Sequence, residues 1–510
     1  MKLKMNDVRP QPSRRRSRAM VAALCIALAT ALVACANDND EDSSGSSRTT
    51  VGALRVKGLR AEPTAGRWKT WVLASPDEIR VPEPPPVGSA RAKADLAVVR
   101  SAADDRTEEV REAVRKWSGR IPVQPWNEVA FDFVARSAKN PPLSSRNYAL
   151  VNVAAYDAVV AAFDAKYRYS VKPPDGVETL VAAGKDPSYP SEHAAIAGAA
   201  SRVLAHLYPK MSGLRLDEMA EEAAQSRVQA GVNTPADVSA GLALGRAVAD
   251  KVIAYAQADG SDLEWDGKRP PGIGGGPEFW EPAPGVASPP TAPMAGKWKP
   301  WVMRSGDQFR PPPPPAFGSP EFKAAAEELV EMKKNLTAEQ RRIANFWAGT
   351  EGTSLPAGIL LGEVMKDLRA STADEAPLTV PRSTRAMTLV SVTLADGGIA
   401  AWDAKFTYWN PRPINAIRDL GLDPTWEPLV DTPRFPAYPS GSAGYAGGAE
   451  AVMTYLFPKR ATQFEKRADE QTISRLYAGI HWRYDAVSRE AGRKIGGLVV
   501  ERAKRDGADG

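Results

Sequence analysis

The sequence contains very little cysteine and histidine. Of its 510 residues, only two are cysteines and three are histidines. Cys25 lies inside an N-terminal apolar segment that we expect to be removed, and Cys35 lies at the end of that segment. The mature chain is therefore expected to have no disulfide bond and no catalytic thiol. A histidine that carries chemistry must be His193, His206 or His481.

The sequence also lacks a strong excess of charge and a clear strand pattern. It has 66 Lys and Arg residues against 61 Asp and Glu residues, which gives a formal net charge of +5. No concentrated basic run follows residue 18, and this argues against nucleic-acid binding. Alternating strand patterns are scarce, whereas long Ala-rich amphipathic stretches are common. The chain is predicted to be all-α.

One apolar run marks the N-terminus as a targeting segment. "RRRSR" (14–18) precedes the apolar run at 19–34, which is too short to be a typical membrane span. The run ends in "LVAC" (32–35), the pattern of a bacterial lipoprotein signal, so we expect Cys35 to carry a lipid. An ordinary secretion signal cut near Ala34 is the alternative. We expect a lipid-anchored protein on the periplasmic side of the bacterial envelope, with the outer membrane as one option.

Four pairs of similar segments recur in the same order, which predicts an internal duplication. The pairs are 63–89 with 293–319, 163–174 with 402–413, 189–210 with 438–459, and 226–237 with 474–485. They predict two pseudo-symmetric helical bundles. The expected divisions are a signal peptide (1–35), a disordered tether (36–60), an N-terminal repeat (61–260), a Gly/Pro linker (261–295) and a C-terminal repeat (296–510). The predicted helices are 91–117, 144–165, 191–207, 236–257, 320–334, 382–404, 440–456 and 482–505.

The second repeat contains a set of residues suited to binding an oxyanion. Three cations, a Pro-Ser-Gly helix start and a His-x3-Asp pair occur in it; they are Lys405, Arg412, Arg475, Ser440, Gly441, His481 and Asp485. Lysine and arginine supply positive charge and forked donors, and a helix N-terminus adds backbone N–H groups. His481 offers a ring nitrogen as nucleophile or as ligand to a metal oxyanion. Asp485, one helical turn later, can fix the tautomer of that ring.

The spacing Lys-x6-Arg-Pro, Pro-Ser-Gly, Ser-Arg-x5-His-x3-Asp resembles the vanadium-dependent haloperoxidases and the related type-2 phosphatidic acid phosphatases. The resemblance covers most of the mature chain and implies a two-bundle helical fold. It also implies vanadate as cofactor, with hydrogen peroxide, a halide and an organic acceptor as substrates. By this resemblance, the oxygens of vanadate or phosphate are held by Lys405, Arg412, Ser440, Gly441 and Arg475. His481 is then the vanadium ligand of a peroxidase, or the nucleophile of a phosphatase.

Ser442 departs from the pattern of the family, which usually has an acid–base histidine at this position. Serine can donate a hydrogen bond but does not titrate near neutral pH. Loss of a general acid–base group typically costs about 10²–10⁴-fold in rate. We therefore expect oxyanion binding to survive, while turnover and substrate choice are open. Two alternatives remain beside the haloperoxidase: an acid phosphatase acting on phosphomonoesters through a phosphohistidine, and a non-catalytic phosphate- or vanadate-binding lipoprotein.

The first repeat is expected to have lost its own site. Lys166, Ser191 and Arg227 align with the second repeat, but Pro173, Glu192 and Asn233 replace Arg412, Gly441 and His481. The Glu192 carboxylate would repel a bound anion. His193 is interpreted as a residue of its own helix and not as an acid–base group for the second site. His206 is expected to pack in the protein core, and Trp409 either shapes a substrate pocket or simply packs.

Overall fold

The computed structural model describes residues 60–509, apart from residues 120, 138–139, 183, 212–214, 351 and 373–377. The predicted signal peptide, Cys35 and nearly all of the predicted tether lie outside the described residues. The helices of the first half are α1 (Ala90–Asp104), α2 (Glu108–Trp117), α3 (Gln124–Arg136), α4 (Pro141–Tyr169), α5 (Glu192–Leu207), α6 (Leu216–Gln229) and α7 (Pro235–Gln257). The regular elements of the described residues are all helical, which confirms the predicted all-α class.

The helices of the second half follow a similar order. They are α8 (Pro320–Lys334), α9 (Ala338–Phe346), α10 (Leu355–Ala370), α11 (Val380–Tyr408), α12 (Pro413–Asp419), α13 (Gly441–Leu456), α14 (Ala461–Tyr477) and α15 (Ser488–Ala503). Short 3₁₀ turns add Ala65–Arg67, Pro209–Met211, Ala295–Lys297, Pro458–Arg460 and Arg483–Val487. Residues 261–294, all of which the structure describes, contain no regular helix.

The two longest helices, α4 and α11, pack against each other at the centre of the protein. Each has 29 residues, begins with a capping side chain (Asn140 or Thr379) and carries proline in its first turn. Asn152 of α4 donates to the Ser391 hydroxyl of α11 at 2.9 Å. Helix α4 is long and apolar enough to cross a membrane, but 94% of its most apolar window is buried inside the protein. Its apolar length therefore serves a core shared by both halves.

Two extended arms, residues 68–87 and 298–317, pack onto these central helices in the same way. The backbone N–H groups of residues 71–73 donate to the Asp157 carboxylate of α4 at 2.8–3.0 Å. Those of residues 301–303 donate to Asp396 of α11 at 2.7–3.1 Å. The Trp71 and Trp301 rings meet edge-on, with their centroids 6.0 Å apart. Each buried carboxylate thus satisfies three backbone donors that helix or sheet pairing does not use.

Two of the predicted helices differ in detail from the structure. The predicted segment 91–117 is divided at residues 105–107, because Thr107 caps α2 by accepting a hydrogen bond from the Val110 N–H at 3.4 Å. The predicted helix 482–505 begins as the 3₁₀ turn Arg483–Val487 and becomes α-helical at Ser488. This turn holds the predicted functional residue Asp485, so the change of geometry matters for the site.

Candidate active site

The start of α13 is tied to the turn that follows α14. Ser440 caps α13, and its hydroxyl accepts from the Ala443 N–H at 3.3 Å. The Ser440 N–H donates to the Asp485 carbonyl at 3.0 Å, and the Ser488 hydroxyl donates to the Ser440 carbonyl at 2.5 Å. These bonds join the helix N-terminus to the turn that carries His481. The predicted Ser440, Gly441 and Asp485 therefore belong to one rigid assembly.

Lys405 reaches this assembly from the last turn of α11. Its ammonium donates to the Pro436 carbonyl at 2.8 Å and to the Ala437 carbonyl at 2.7 Å. The side chain is fully buried. Burial, followed by the positive charge of Arg412, lowers the pKa of Lys405 well below its usual range. A nearby anion would favour the charged ammonium, so the site is suited to a negatively charged ligand.

Two buried guanidinium groups each keep one nitrogen without a partner. Arg412 donates from Nε to the Phe435 carbonyl at 2.8 Å and from Nη1 to the Ile480 carbonyl at 2.6 Å. Arg475 donates to the Ser474 hydroxyl and the Ala348 carbonyl, both at 3.2 Å. The Nη2 atoms of Arg412 and Arg475 are buried and have no hydrogen-bond acceptor among the residues that the structure describes. Such orphaned donors are rare in native interiors, and a bound oxyanion would satisfy them.

Burial also lowers the pKa values of these two arginines. The pKa of Arg412 falls to about 9 and that of Arg475 to about 10, with burial as the largest cause in both. Each guanidinium is therefore a charge that the protein alone solvates poorly. A bound anion would pair with both groups and raise both pKa values.

His481 and Asp485 form a buried pair at the bottom of the site. The His481 Nδ1 lies 2.6 Å from the Asp485 Oδ2, and the His481 Nε2 lies 3.3 Å from the Arg412 Nη1. Because arginine can only donate, we assign the proton of the neutral ring to Nδ1 and the lone pair to Nε2. The Trp482 N–H also donates to Asp485 at 3.2 Å. The pair thus presents a ring lone pair beside the two arginines.

The charge states of this pair follow from burial and from the surrounding cations. Burial, with Arg412 as the next cause, lowers the pKa of His481 well below its usual 6.5. Burial raises the pKa of Asp485 to about 7, although Lys405 opposes this rise. A hydrogen bond from the imidazole favours the carboxylate, and the neighbouring cations favour a neutral ring. His481 is therefore neutral at physiological pH, the state in which a ring nitrogen can serve as ligand or nucleophile.

A cavity of about 970 Å³ opens over these groups. His481, Arg475, Gly441 and Ser442 line its inner end, and Ser442 is 8% exposed. A Cβ atom at Gly441 would lie 3.5 Å from the Trp402 ring, an ordinary contact. A larger residue at 441 would therefore not clash with the backbone. With glycine, no side chain from this position occupies the space in which we expect the anion to bind.

The sequence analysis missed two aromatic residues near this site. Trp402 lines the cavity and lies one helical turn before Lys405, a spacing that puts both on one face of α11. Phe435 lines it too, and the Lys405 and Arg412 cations lie 5.2 and 4.9 Å from the centre of its ring. Helical spacing could have identified Trp402, whereas nothing in the sequence pointed to Phe435. Trp409 instead packs on Trp280 and Phe406 in an aromatic cluster outside the cavity lining.

In the first half, the equivalent position is filled by a carboxylate of the chain itself. The Lys166 ammonium donates to the carbonyls of Pro187 and Ser188 and lies 2.9 Å from the Glu192 Oε2. Burial alone would raise the pKa of Glu192, but Lys166 and His193 outweigh it and hold that pKa well below its usual range. The His193 Nδ1 lies 3.1 Å from Glu192. These contacts place His193 in its own half.

Four other residues of the first half complete this description. Arg227 donates to the Ser118 hydroxyl at 2.7 Å, and the Ser191 hydroxyl lies 3.3 Å from the Asn233 Oδ1. His206 is exposed on α5, so its expected place in the core is wrong. The reason is its position in the last turn of α5, where the helix face turns to solvent.

Comparison with known proteins shows which proteins this chain resembles in sequence. Residues 385–463 match the family model described as the VCPO second helical-bundle domain. This range contains Lys405, Arg412, Ser440 and Gly441. The chain is 26% identical over 173 residues to the vanadium chloroperoxidase of Curvularia inaequalis, a match that covers 20% of this chain and 28% of that protein. The match thus spans under a third of that relative's length.

Two solved structures share the fold over most of the chain. The first bacterial vanadium-dependent iodoperoxidase has a TM-score of 0.60 at 24% identity, covering 74% of this chain and 95% of that chain. An apo-type bacterial vanadium-dependent chloroperoxidase has a TM-score of 0.54 at 16% identity, covering 72% of this chain and 94% of that chain. At these identities the likeness shows the fold. Together with the family model, it confirms the predicted resemblance to the vanadium haloperoxidases.

Proposed function

We propose that this protein is a vanadate-dependent haloperoxidase that oxidises a halide with hydrogen peroxide. The balanced reaction joins one halide, one peroxide and one proton to give hypohalous acid and water. The halide loses two electrons, and the peroxide oxygens gain them. The observation that supports the proposal best is the pair of orphaned Nη2 atoms, on Arg412 and Arg475, beside the Nε2 lone pair of His481.

The residues of the site fit a tetrahedral metal oxyanion. Lys405, Arg412, Arg475 and the start of α13 supply donors and positive charge, and His481 supplies one neutral nitrogen ligand. When bound there, vanadate would act as a Lewis acid that activates hydrogen peroxide. Arg412 and Arg475 would hold its oxygens, and Asp485 would keep the His481 lone pair directed at the metal. The bacterial iodoperoxidase and chloroperoxidase that share this fold are both named as vanadium-dependent, and this set of donors suits the same metal.

Residue 442 of this chain supplies no group that titrates near neutral pH. Ser442 lines the cavity where a histidine would titrate, and the pKa of Tyr445, one turn further along α13, is raised by burial to about 12. Ser442 can donate or accept a hydrogen bond but cannot hold a proton for transfer near pH 7. We therefore infer that the protein oxidises an easily oxidised halide, iodide or bromide, in preference to chloride.

A phosphatase of the same superfamily is the second candidate, because the His481 lone pair could equally attack the phosphorus of a phosphomonoester. That reaction needs a proton for the alkoxide leaving group, and Ser442 does not provide one. The absence of a proton donor at residue 442 would therefore lower the rate of a phosphatase more than the rate of a peroxidase. A non-catalytic oxyanion-binding protein is the third candidate.

One pair of assays separates the three candidates. The purified chain is loaded with orthovanadate and assayed for peroxide-dependent oxidation of iodide, bromide and chloride. The vanadate-free protein is assayed for phosphomonoester hydrolysis. Vanadate-dependent iodide or bromide oxidation supports the proposal, and vanadate-independent hydrolysis selects the phosphatase. Binding of orthovanadate in calorimetry with neither activity selects the third candidate.

Export and lipid attachment at Cys35 are a separate proposal, tested by labelling cells with a radioactive fatty acid and comparing Cys35→Ala.

A further inference from the structure

The cavity over the anion site is much larger than the proposed inorganic substrates need. Its volume of about 970 Å³ lies at the upper end of the range of about 300–1,000 Å³ that is typical of small-molecule sites. Vanadate, peroxide and a halide contain only a few heavy atoms among them. The remaining space lies in the same cavity as His481 and Arg475, so a further ligand there would be close to the reaction.

One wall of the cavity comes from the connection between the two halves. We call residues 283–292 the strap; seven of them line the cavity, and three of these are prolines. The Thr291 N–H donates to the Arg434 carbonyl at 2.8 Å, and the Trp402 indole N–H donates to the Thr291 carbonyl at 3.0 Å. Before the strap, the Asn415 amide donates to the Pro282 carbonyl at 3.1 Å. The strap is therefore fastened at both ends to the half that holds the anion site.

Apolar groups line the space between the strap and the anion site. Trp402 and Phe435 pack against each other there, with ring centroids 4.7 Å apart. Leu355, the first residue of α10, also lines the cavity. Val286 of the strap lines the cavity and is 41% exposed, unlike most large apolar side chains of the protein. These apolar groups provide a surface for the apolar part of an organic molecule, and charged side chains, among them Glu427, Asp431 and Arg434, also line the cavity.

Two residues of the cavity lining have a strained backbone. Ala292, at the end of the strap, has φ of 51°, and Leu355, at the start of α10, has φ of 61°. Residues with a side chain rarely adopt this left-handed region, and such strain tends to occur at ligand sites because the surroundings fix it. Both residues line the cavity. The strain is an observation independent of the cavity's volume, and it points to the same function.

We propose that this cavity binds an uncharged aromatic acceptor against the strap, so that halogenation occurs inside the protein; this inference rests on the proposed haloperoxidase function. Hypohalous acid formed at the anion site transfers its halogen to a ring carbon. The carbon–halogen bond forms, the oxygen–halogen bond breaks with its electron pair going to oxygen, and the ring proton joins that oxygen to give water. Val286 and its neighbours in the strap then decide which acceptors are halogenated.

The experiment uses 1-naphthol as acceptor and an excess of taurine as a trap for free hypohalous acid in solution. With the wild type, naphthol halogenation should persist in the presence of taurine. Val286→Trp should fill the cavity at the strap, raise the KM for 1-naphthol about tenfold or more, and let taurine suppress the reaction. Its rate of iodide oxidation without acceptor should stay unchanged. Val98→Trp is the matched control, because Val98 is 47% exposed on α1, away from the cavity, and should change neither value.

A binding measurement without peroxide or halide separates this inference from the function on which it rests. Calorimetric titration with 1-naphthol should show saturable binding to the wild type and weaker binding to Val286→Trp. Binding without any halide oxidation would support the acceptor site and overturn the proposed function. Halide oxidation with full suppression by taurine in the wild type, and no naphthol binding, would overturn the acceptor site and leave the proposed function intact.

Discussion

Lys166 and Lys405 occupy matching positions in the two halves, but their surroundings give them opposite uses. Each ammonium donates to two backbone carbonyls just ahead of a serine that caps a helix. In the first half, Glu192 follows that serine and pairs with Lys166 at 2.9 Å. In the second half, Gly441 follows the serine and provides no anion. The first lysine is neutralised by the chain itself, whereas the second needs a ligand from outside.

This comparison shows how one residue separates a structural site from a binding site. A buried cation with its own carboxylate is satisfied and contributes to a stable fold. In the second half, Lys405 has no carboxylate partner among the described residues, and the Nη2 atoms of Arg412 and Arg475 have no acceptor there; in the first half the Nε of Arg227 also lacks one. Such unpaired groups do not favour stability. Sites that bind ligands commonly hold such unfavourable groups, and the ligand then satisfies them.

The largest effect is expected from His481→Asn, which gives the second half the residue of the first. Asparagine has no ring lone pair to serve as ligand or nucleophile, so activity of either kind should fall to background. Circular dichroism should show unchanged helicity, because one ring at an anion site does not hold the bundles together. Asn233→Ser, at the matching position of the first half, is the control and should keep full activity. Substantial activity in His481→Asn would show that the site is elsewhere.

Gly441→Glu copies the internal carboxylate of the first half into the second. A unit charge about 4 Å from a bound anion costs about 4 kcal/mol at an effective dielectric constant of 20, which is about a thousandfold in affinity. The Cβ atom fits, since its nearest neighbour would be 3.5 Å away. Calorimetric titration with orthovanadate measures the loss. Gly441→Gln, of equal size but uncharged, should lose much less; equal losses in the two variants would mean that volume and not charge excludes the anion.

Lys405→Ala and Lys166→Ala test the two lysines directly. Lys405→Ala removes a charged donor and should weaken orthovanadate binding about 10–100-fold, the equivalent of about 1.5–3 kcal/mol. Lys166→Ala should keep affinity and turnover but lower the free energy of unfolding in urea by about 1–3 kcal/mol, because Glu192 loses its partner. A loss of affinity in Lys166→Ala as deep as that in Lys405→Ala would contradict the assignment of the first half as non-catalytic.

The smallest effect is expected from Ser442→His, which gives the second half the histidine that the first half carries at the matching position, His193. Halide oxidation should rise about tenfold, below the full range of about 10²–10⁴-fold for a general base, because a bound metal would itself make the peroxide more acidic. The new imidazole is a base only when neutral, so the gain should disappear as pH falls through a pKa of about 6.5. In the wild type His481 should add no limb there, since burial and Arg412 hold its pKa well below that value. Asp485, whose pKa burial raises to about 7, is present in both proteins, so the wild-type profile is the baseline from which the new limb is measured.

A different result with this variant would reverse the order of the two enzymatic candidates. If Ser442→His lowers halide oxidation and the wild type hydrolyses alkyl phosphates rapidly, the phosphatase becomes the better assignment. The matched control is Ser442→Asn, which can hydrogen-bond but cannot titrate, and which should keep the pH profile of the wild type.

The residues of the site could be predicted from the sequence because their chemistry and order are local patterns. Small residues after Pro-Ser-Gly predicted the start of α13, and the i, i+4 spacing of His481 and Asp485 predicted their hydrogen bond, which is 2.6 Å long. The role of each residue in binding vanadate remains a prediction. Trp409 illustrates the limit: its place between Lys405 and Arg412 in the chain left two roles open, and its packing on Trp280, from the linker, decided between them.

The sequence by itself thus determined the helical class and the order of the predicted anion-binding residues. It also showed that the first half has Glu192 where the second half has Gly441. These features could be read from the sequence because helix periodicity and residue chemistry act over a few neighbours. Only the tertiary structure decided that Glu192 reaches Lys166 and that the linker forms a wall of the cavity. It also decided that the Nη2 atoms of Arg412 and Arg475 meet no acceptor in the described part of the chain. These features depend on which side chains from distant segments meet. A pattern along the chain does not specify which hydrogen bonds remain unmade after the chain has folded.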